Sequence, residues 1–172
     1  MNKSVLPHKI VKGRKVINLE NYFTYYFAAI ANRLSRGASA MYREKFGVGV
    51  VEWRCMVMLA LKDGVSAASI SSVSGVNKSL VSRSLAKLEK LDYVEDCDKS
   101  TSRKPRFLKF TSSGKELYDQ MLELTLQREK KLRKGLSAAE IKELLRMLKI
   151  LFNNADELDQ LDYHIELDTN DV

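Results

Sequence analysis

The feature that most constrains the fold is a serine-rich segment whose apolar residues keep a helical spacing. Eight serines lie between positions 66 and 84, a composition that is also typical of a low-complexity linker. Against a linker, Ile70 and Val73 fall on one face of a short helix. A second apolar set follows at i, i+4 and i+7: Val81, Leu85 and Leu88. Gly75 allows a sharp turn between the two sets, and Asn77 is a good N-cap, so the segment predicts a helix-turn-helix.

The residues after this motif predict a two-stranded ribbon. The stretches "YVEDCD" and "RFLKFT" contain β-forming Val and Phe residues. They flank "DKSTSRKPR" (98–106), which is polar and basic, and whose Pro105 suits an edge or a bend. A ribbon that follows a helix-turn-helix is a wing, and its tip is expected to be positively charged.

Long helices are predicted on both sides of the motif by apolar residues at spacings of three, four or seven. The predicted ranges are 19 to about 46, 50–62, 112 to about 134, and 138 to about 153. Asp63-Gly64 and Gly135 end two of these helices, and "SAAE", which begins at Ser137, is a capping box that opens the last one. The first helix is apolar beyond one stripe, which is expected of a helix with more than one neighbour. The fold class is therefore mainly α with a small β-wing.

Charge is distributed unevenly along the chain. The formal net charge is +7, but the last seventeen residues carry seven acidic side chains and no Lys or Arg, which leaves +14 on residues 1–155. Residues 1–18 form a basic N-terminal arm, and residues 154–172 form an acidic tail. A basic body predicts a polyanionic partner, either nucleic acid or an anionic membrane, although a solvated surface has the same composition.

Several classes of protein are excluded or disfavoured. No apolar run reaches the length of a membrane span, and the N-terminus lacks the apolar core of a signal peptide, so we expect a cytosolic protein. Cys55, Cys97, His8 and His164 have no metal-like spacing. No nucleophile, general base or metal cluster is apparent. We therefore predict no metal, no cofactor and no enzymatic activity.

The order of these elements resembles the MarR family of bacterial winged-helix regulators. Ser82-Arg83 stands where the family commonly has Thr-Arg, and "FTSSG" (110–114) is similar to its Leu-Thr-x-x-Gly. "NRLSR" (32–36) and "EWR" (52–54) resemble a subset whose effectors are aromatic acids or their thioesters. Four positions depart from the pattern: Asp92 replaces a usual Gly, Ser102 replaces the acid of the wing, Lys104 replaces its arginine, and Tyr26 stands where the aromatic-acid subset often has Arg.

The resemblance covers roughly residues 19–153 and implies a domain layout. The winged helix-turn-helix would span about 50–111, and dimerisation helices would span about 19–46 and 112–153. The family's function implies a homodimeric repressor in the bacterial cytoplasm that binds a palindromic operator in double-stranded DNA. A small effector, such as an aromatic acid or an acyl-CoA thioester, would release it. The alternative is a winged-helix module for protein interaction or DNA architecture that has no effector.

The candidate DNA-binding residues lie in two groups, the start of the recognition helix and the wing. They are Asn77, Lys78, Ser79, Ser82, Arg83, Arg103, Lys104 and Arg106. Hydroxyl and amide groups can bond base edges, while Lys and Arg can take phosphate or guanine. The alternative for the helix residues is a solvated polar face.

The candidate effector-binding residues follow from the same resemblance, which places a pocket between the dimer helices and the winged unit. They are Tyr22, Tyr26, Asn32, Arg33, Trp53, Arg54 and Met58. A polar and aromatic lining suits a small aromatic ligand. Tyrosines and a tryptophan at helical spacing can equally be core residues, and Arg54 can equally make a structural ion pair.

Overall fold

Helices dominate the structure, and a short antiparallel sheet follows the helix-turn-helix. The computed structural model describes residues 5–97 and 106–158. The elements are β1 (His8–Val11), β2 (Arg14–Ile17), a 3₁₀ turn (Leu19–Asn21), α1 (Phe23–Phe46), α2 (Val50–Leu61), α3 (Ala67–Ser74), α4 (Lys78–Lys90), β3 (Val94–Asp96), β4 (Leu108–Phe110), α5 (Ser112–Leu132) and α6 (Ala138–Leu158). The predicted fold class is confirmed. The chain divides into two compact units, Met1–Leu124 and Thr125–Val172.

Helix starts and ends follow the predicted capping residues. The Oδ1 of Asn77 accepts a hydrogen bond from the backbone N–H of Ser79 at 2.9 Å and caps α4. The turn before α4 uses Gly75 in the left-handed conformation at φ +64°, which a side chain would strain. At the start of α6, the Oγ of Ser137 accepts from the N–H of Glu140, and the Glu140 carboxylate accepts from the N–H of Ser137. The capping box is therefore confirmed.

Two helix boundaries differ from the prediction. Residues 19–21 form a separate 3₁₀ turn, and α1 begins only at Phe23 because Tyr22 is extended at φ −106° and ψ 99°. The amide of Asn21 donates to the carbonyl of Leu6, which ties this turn to the preceding segment rather than to α1. At the other end, α6 continues to Leu158 instead of stopping near position 153. Neither Gly nor Pro follows position 153 to break the helix.

The basic N-terminal arm contains a β-hairpin that its aperiodic composition does not reveal. Strands β1 and β2 pair in antiparallel register, with His8 opposite Ile17 and Val11 opposite Arg14. The two-residue loop places Lys12 at φ +50° and Gly13 at φ +79°. Two consecutive positive φ angles make a type I′ turn, which matches the twist of a hairpin. The usual sequence signal for this turn is Asn-Gly or Asp-Gly, and Lys-Gly is not part of that signal.

The core lies within the first unit and is built by the second half of α1, by α2, α3 and α4, by the wing and by the start of α5. The predicted apolar face of α4 is buried, with Val81 and Leu88 fully inaccessible. Ile70 of α3 is also fully buried, whereas Val73 is 60% exposed, so α3 contributes a narrower face than its spacing suggests. Burial in this core raises the pKa of Cys55 to about 12, which keeps the thiol protonated. Among the described residues, no helix is both long and apolar enough to cross a membrane.

Candidate nucleic-acid interface

The recognition helix α4 presents a polar surface because its opposite side is packed into the core. Val81, Leu85 and Leu88 fix the helix against α2 and α3. The candidate residues of this helix are all exposed and lie together at its start: Asn77, Lys78, Ser79, Ser82 and Arg83. Within the part of the chain that the structure describes, the side chains of Lys78, Ser82 and Arg83 make no hydrogen bond or ion pair. Their donors are available to a ligand.

The electrostatics at this end of α4 favour an anion. The backbone N–H groups of the first turn point outward along the helix axis, and the helix dipole adds partial positive charge there. Lys78 and Arg83 add two formal charges, and no acidic residue lies between Ser66 and Leu88. The start of α4 therefore combines side-chain cations, hydroxyl groups and a helix N-terminus, which are the groups that contact phosphates and base edges.

The wing is anchored at its base by backbone pairing on both sides. Val94 pairs with Phe110 and Asp96 with Leu108. Leu108 also exchanges backbone hydrogen bonds with Val65, at 3.1 and 3.2 Å, which adds a third short segment to the sheet. The ribbon therefore emerges beside the start of α3 as well as beside the end of α4.

Asp92 allows the chain to turn from α4 into the wing. It has φ +59°, as expected of a residue that replaces the usual Gly. Its carbonyl accepts hydrogen bonds from the hydroxyls of Thr111 and Ser113, both at 2.6 Å. Behind this turn, a Cβ on Gly114 would lie 1.8 Å from the carbonyl oxygen of Tyr93. The Gly of "FTSSG" is thus required by the close approach of α5 to this turn.

The three basic candidates of the wing have different outcomes. Arg103 and Lys104 lie outside the described residues. Arg106 is described and is 47% exposed in its side chain, but its guanidinium is occupied. The Nε donates to Asp96 at 2.7 Å, and both terminal nitrogens donate to the carboxylate of Glu89. These hydrogen bonds raise the pKa of Arg106.

A groove connects the start of α4 with this ion-pair cluster. It has a volume of about 590 Å³ and lies between the first turn of α3, one face of α4 and strand β4. Lys78 and Ser82 line it together with Glu89 and Arg106. The helix candidates and the base of the wing therefore share one continuous surface.

Lys87 is an anchoring residue that the sequence motifs do not single out. Its ammonium donates to the carbonyl of Gly47 at 2.9 Å and lies 3.9 Å from the Glu52 carboxylate. Glu52 also accepts the N–H of Gly49 at 2.9 Å and so caps α2. Lys87 thereby joins the recognition helix to the turn between α1 and α2. A carboxylate at the third position of α2 is the only sequence signal for this contact, and it does not reveal the lysine.

Among the candidate effector residues, Trp53 lies in the core. It is 7% exposed and stacks on Tyr118, with ring centroids 5.3 Å apart, and it also contacts Tyr42 at 5.9 Å. Met58 is half-buried against the same core. Trp53 is therefore a core aromatic residue, which was the alternative to an effector-binding role in the sequence analysis.

The other effector candidates lie along α1 and on the outer side of α2. Arg54 donates a long hydrogen bond of 3.3 Å to the hydroxyl of Ser35 and does not pair with Glu52. Asn32 and Arg33 are exposed on α1, three and two residues before Ser35. Tyr26 is 46% exposed and contacts Tyr25 edge to face, while Tyr22 is half-buried at the start of α1. Tyr26 precedes Ser35 by nine residues, so about 13 Å of helix separates Tyr26 from the site where Arg54 contacts α1.

Comparison with known proteins gives consistent matches. The model of a winged helix DNA-binding domain matches residues 51–128. A MarR/EmrR family transcriptional regulator from Acinetobacter sp. ADP1 is 33% identical in sequence and has a TM-score of 0.75, over 82% of this chain and 99% of that chain. The HTH-type transcriptional repressor IacR of Pseudomonas putida is 22% identical over 139 residues, which are 81% of this chain and 83% of that protein.

A structure with a bound small molecule is also similar. The complex of the Mycobacterium tuberculosis MarR family protein Rv2887 with salicylic acid is 23% identical to this chain and has a TM-score of 0.59, over 74% of this chain and 94% of that one. At this identity the likeness concerns the fold alone. The Acinetobacter match is closer in sequence and nearly complete in coverage, and the winged-helix match includes the recognition helix and the wing. The chain therefore belongs to the MarR family of DNA-binding transcriptional regulators.

Proposed function

We propose that this regulator is a homodimeric repressor that binds a palindromic operator and is released by a small aromatic acid. The observation that carries the DNA-binding step is the exposed start of α4, where Lys78, Ser82 and Arg83 have no protein partner within the described residues. The N-terminal part of a recognition helix is the part that contacts base edges in the major groove. Repression is supported by the similarity to IacR, which is named a repressor.

A second copy of the chain is the partner that we propose for the apolar surface of α6. This helix has 21 residues, and none of those whose burial is described is buried. Its exposed apolar side chains include Leu144, Leu145 and Phe152, which share one side of the helix. An exposed apolar surface of this kind marks a contact with another protein. A partner of the same sequence would cover it in a twofold arrangement, in which the same patch serves both copies.

The first unit carries a second apolar surface that we assign to the same dimer. Phe23, Tyr26, Phe27 and Ile30 of α1 are between 43% and 65% exposed. Covering these residues removes apolar area from water and stabilises association. The dimer would hold two recognition helices about one turn of DNA apart, roughly 34 Å, and a palindromic operator matches this symmetry.

We propose an aromatic carboxylate as the effector class, bound at the seam of α1 and α2. The similarity to Rv2887, whose structure contains salicylic acid, supports this class. Arg54 has one long hydrogen bond, so most of its donors remain available to a carboxylate. Arg33 on α1 is a second exposed cation in the effector set. Guanidinium groups bind carboxylates in a planar, bidentate manner. Release requires the effector to bind the DNA-free conformation more tightly than the DNA-bound one.

The dimer is tested by the mass of the full chain in solution, measured by sedimentation equilibrium. We expect twice the chain mass of 19.6 kDa. Leu145→Glu and Phe152→Glu should give the monomer mass and weaken binding to the DNA upstream of the coding region. Asn154→Glu introduces the same charge at an exposed position of the same helix and should remain dimeric. A monomeric wild type, or dimeric glutamate variants with normal DNA binding, would refute this interface.

The effector step is tested by titrating salicylate, as the simplest aromatic acid, into the complex with upstream DNA. We expect release of the DNA and a thermal stabilisation of the free protein, both reduced in Arg54→Ala. Lys45→Ala, an exposed cation ten residues beyond Ser35 on α1, is the matched control. DNA that stays bound at saturating salicylate and at saturating longer aryl acids would reject an aromatic acid effector, while leaving the DNA-binding step intact.

A further inference from the structure

Arg106 is the first described residue on the returning side of the wing, and its guanidinium contacts two other elements. The Nε donates to Asp96 Oδ2 at 2.7 Å. The Nη1 donates to Glu89 Oε2 at 3.1 Å, and the Nη2 donates to Glu89 Oε1. The contact with Glu89 is bidentate, which is the strongest and most directional geometry for this pair of groups.

The two carboxylates belong to elements that must keep a fixed relation to one another for DNA binding. Glu89 lies in the last turn of α4, on the face that also carries Lys78 and Ser82. Asp96 ends β3 and is opposite Leu108 in the ribbon. One side chain therefore joins the recognition helix, the outgoing strand and the start of the returning strand.

Local charge argues against phosphate binding by this arginine. One guanidinium pairs with two carboxylates, so its positive charge is already offset within the protein. The carboxylate of Asp96 is also partly withdrawn from water, with its side chain 18% exposed. To reach DNA, Arg106 would have to give up its hydrogen bond to Asp96 and both hydrogen bonds to Glu89. Arg83 lacks such partners within the described residues.

We propose that Arg106 is a positioning residue that holds the wing at a fixed angle to the recognition helix, rather than a residue that contacts DNA. The proposal rests on the DNA-binding function. Exposed ion pairs are individually weak, so this tether, the contacts of Arg106 with Glu89 and Asp96, adjusts the affinity for DNA and does not hold the fold together. It replaces the expectation from sequence that Arg106 shares the phosphate contact with Arg103 and Lys104.

The salt dependence of DNA binding separates the two roles. Each phosphate contact contributes a slope of about −0.9 to the plot of log affinity against log salt concentration. A positioning residue changes the affinity and leaves this slope unchanged. The measurement uses fluorescence anisotropy of the full chain on the duplex upstream of the coding region, in a series of KCl concentrations.

Four variants give opposite outcomes for the two roles. Because two exposed ion pairs are lost, Arg106→Ala should weaken binding about fivefold at an unchanged slope. Arg106→Lys should bind DNA about as weakly as Arg106→Ala, since lysine cannot make the bidentate contact with Glu89. Glu89→Gln should also weaken binding. Arg106→Ala/Glu89→Gln keeps the local charge of the wild type and should be no weaker than Arg106→Ala alone, because both changes break one tether.

A DNA contact by Arg106 predicts the reverse pattern. Arg106→Ala would reduce the slope by about one unit. Arg106→Lys would bind nearly as well as wild type, and Glu89→Gln would bind more tightly because a negative charge near the DNA is removed. That pattern, or unchanged affinity in all four variants, would overturn the proposal. If wild type shows no preference for the upstream duplex, the proposed operator fails, and the same variants are compared on a mixed-sequence duplex at low salt.

Discussion

The two halves of the recognition helix differ in what their charged side chains contact. In the first half, Lys78 and Arg83 have no protein partner within the described residues. In the second half, Lys87 donates to the carbonyl of Gly47, and Glu89 accepts two hydrogen bonds from the guanidinium of Arg106. Exposure does not distinguish these residues, because Lys87 and Arg106 are 43% and 47% exposed in their side chains. Partners, and not exposure, separate the residues available for DNA from those that hold the helix in place.

This division gives each half a different expected response to mutation. Changes in the second half and in the turn after it should alter stability or the geometry of the wing. Changes in the first half should alter DNA affinity and leave the fold intact. The following predictions test that separation.

The largest effect is expected where the turn after α4 contacts α5. Gly114→Ala would place a Cβ 1.8 Å from the carbonyl oxygen of Tyr93, so the backbone must move. We expect a loss of about 3 kcal/mol in the free energy of unfolding, the upper end for overpacked sites. Urea denaturation measures it. Ser112→Ala, at an exposed position of the same helix turn, should stay within about 0.5 kcal/mol of wild type. A similarly small change for Gly114→Ala would contradict the close packing.

The next effect concerns the free half of α4. Arg83→Ala should weaken operator binding by about 2 kcal/mol, roughly 30-fold, if the guanidinium contacts a base or phosphate. The melting temperature should remain that of the wild type. Lys87→Met is the matched control, because it removes a cation from the anchored half of the same helix and should leave the slope of affinity against salt unchanged. Equal effects of the two variants on DNA binding would erase the distinction between the halves.

A smaller effect is expected at Asn77, which both caps α4 and is a candidate for contact with DNA. Its Oδ1 caps α4, and the residue is exposed at the start of the recognition helix. Asn77→Ala should lose about 1 kcal/mol of stability with the cap. Asn77→Asp should retain that stability, since Asp is an equally good cap, and should bind DNA more weakly because it adds negative charge. A variant Asn77→Asp that binds DNA as well as wild type would exclude a DNA contact at this position.

Elements that depend on local sequence were predictable. The cap at Asn77, the turn at Gly75 and the box formed by Ser137 and Glu140 follow from neighbouring residues, and all are present. The apolar face of α4 was equally predictable, since spacing alone determines which side of a helix is apolar. The resemblance to the MarR family rested on these local features and is confirmed by the Acinetobacter regulator.

Contacts between distant segments were not predictable. The role of Arg106 depends on Glu89 and Asp96, which lie 17 and 10 residues away. No spacing rule joins three elements in this way. Similarly, the aromatic side chain of Trp53 is of a type that suits a ligand pocket, and only its packing against Tyr118 shows that it lies in the core. The N-terminal hairpin was missed because its Lys-Gly loop lacks the usual turn signal.

The central claim is sequence-specific binding of double-stranded DNA, and a competition assay tests it most directly. Full-length protein is bound to a labelled duplex from upstream of its coding region. Unlabelled copies of this duplex, or of an unrelated duplex of equal length, are then added at near-physiological salt. The account predicts that the unrelated duplex competes at least about a thousandfold less effectively, the lower end for specific regulators. Equal competition by the two duplexes would contradict it.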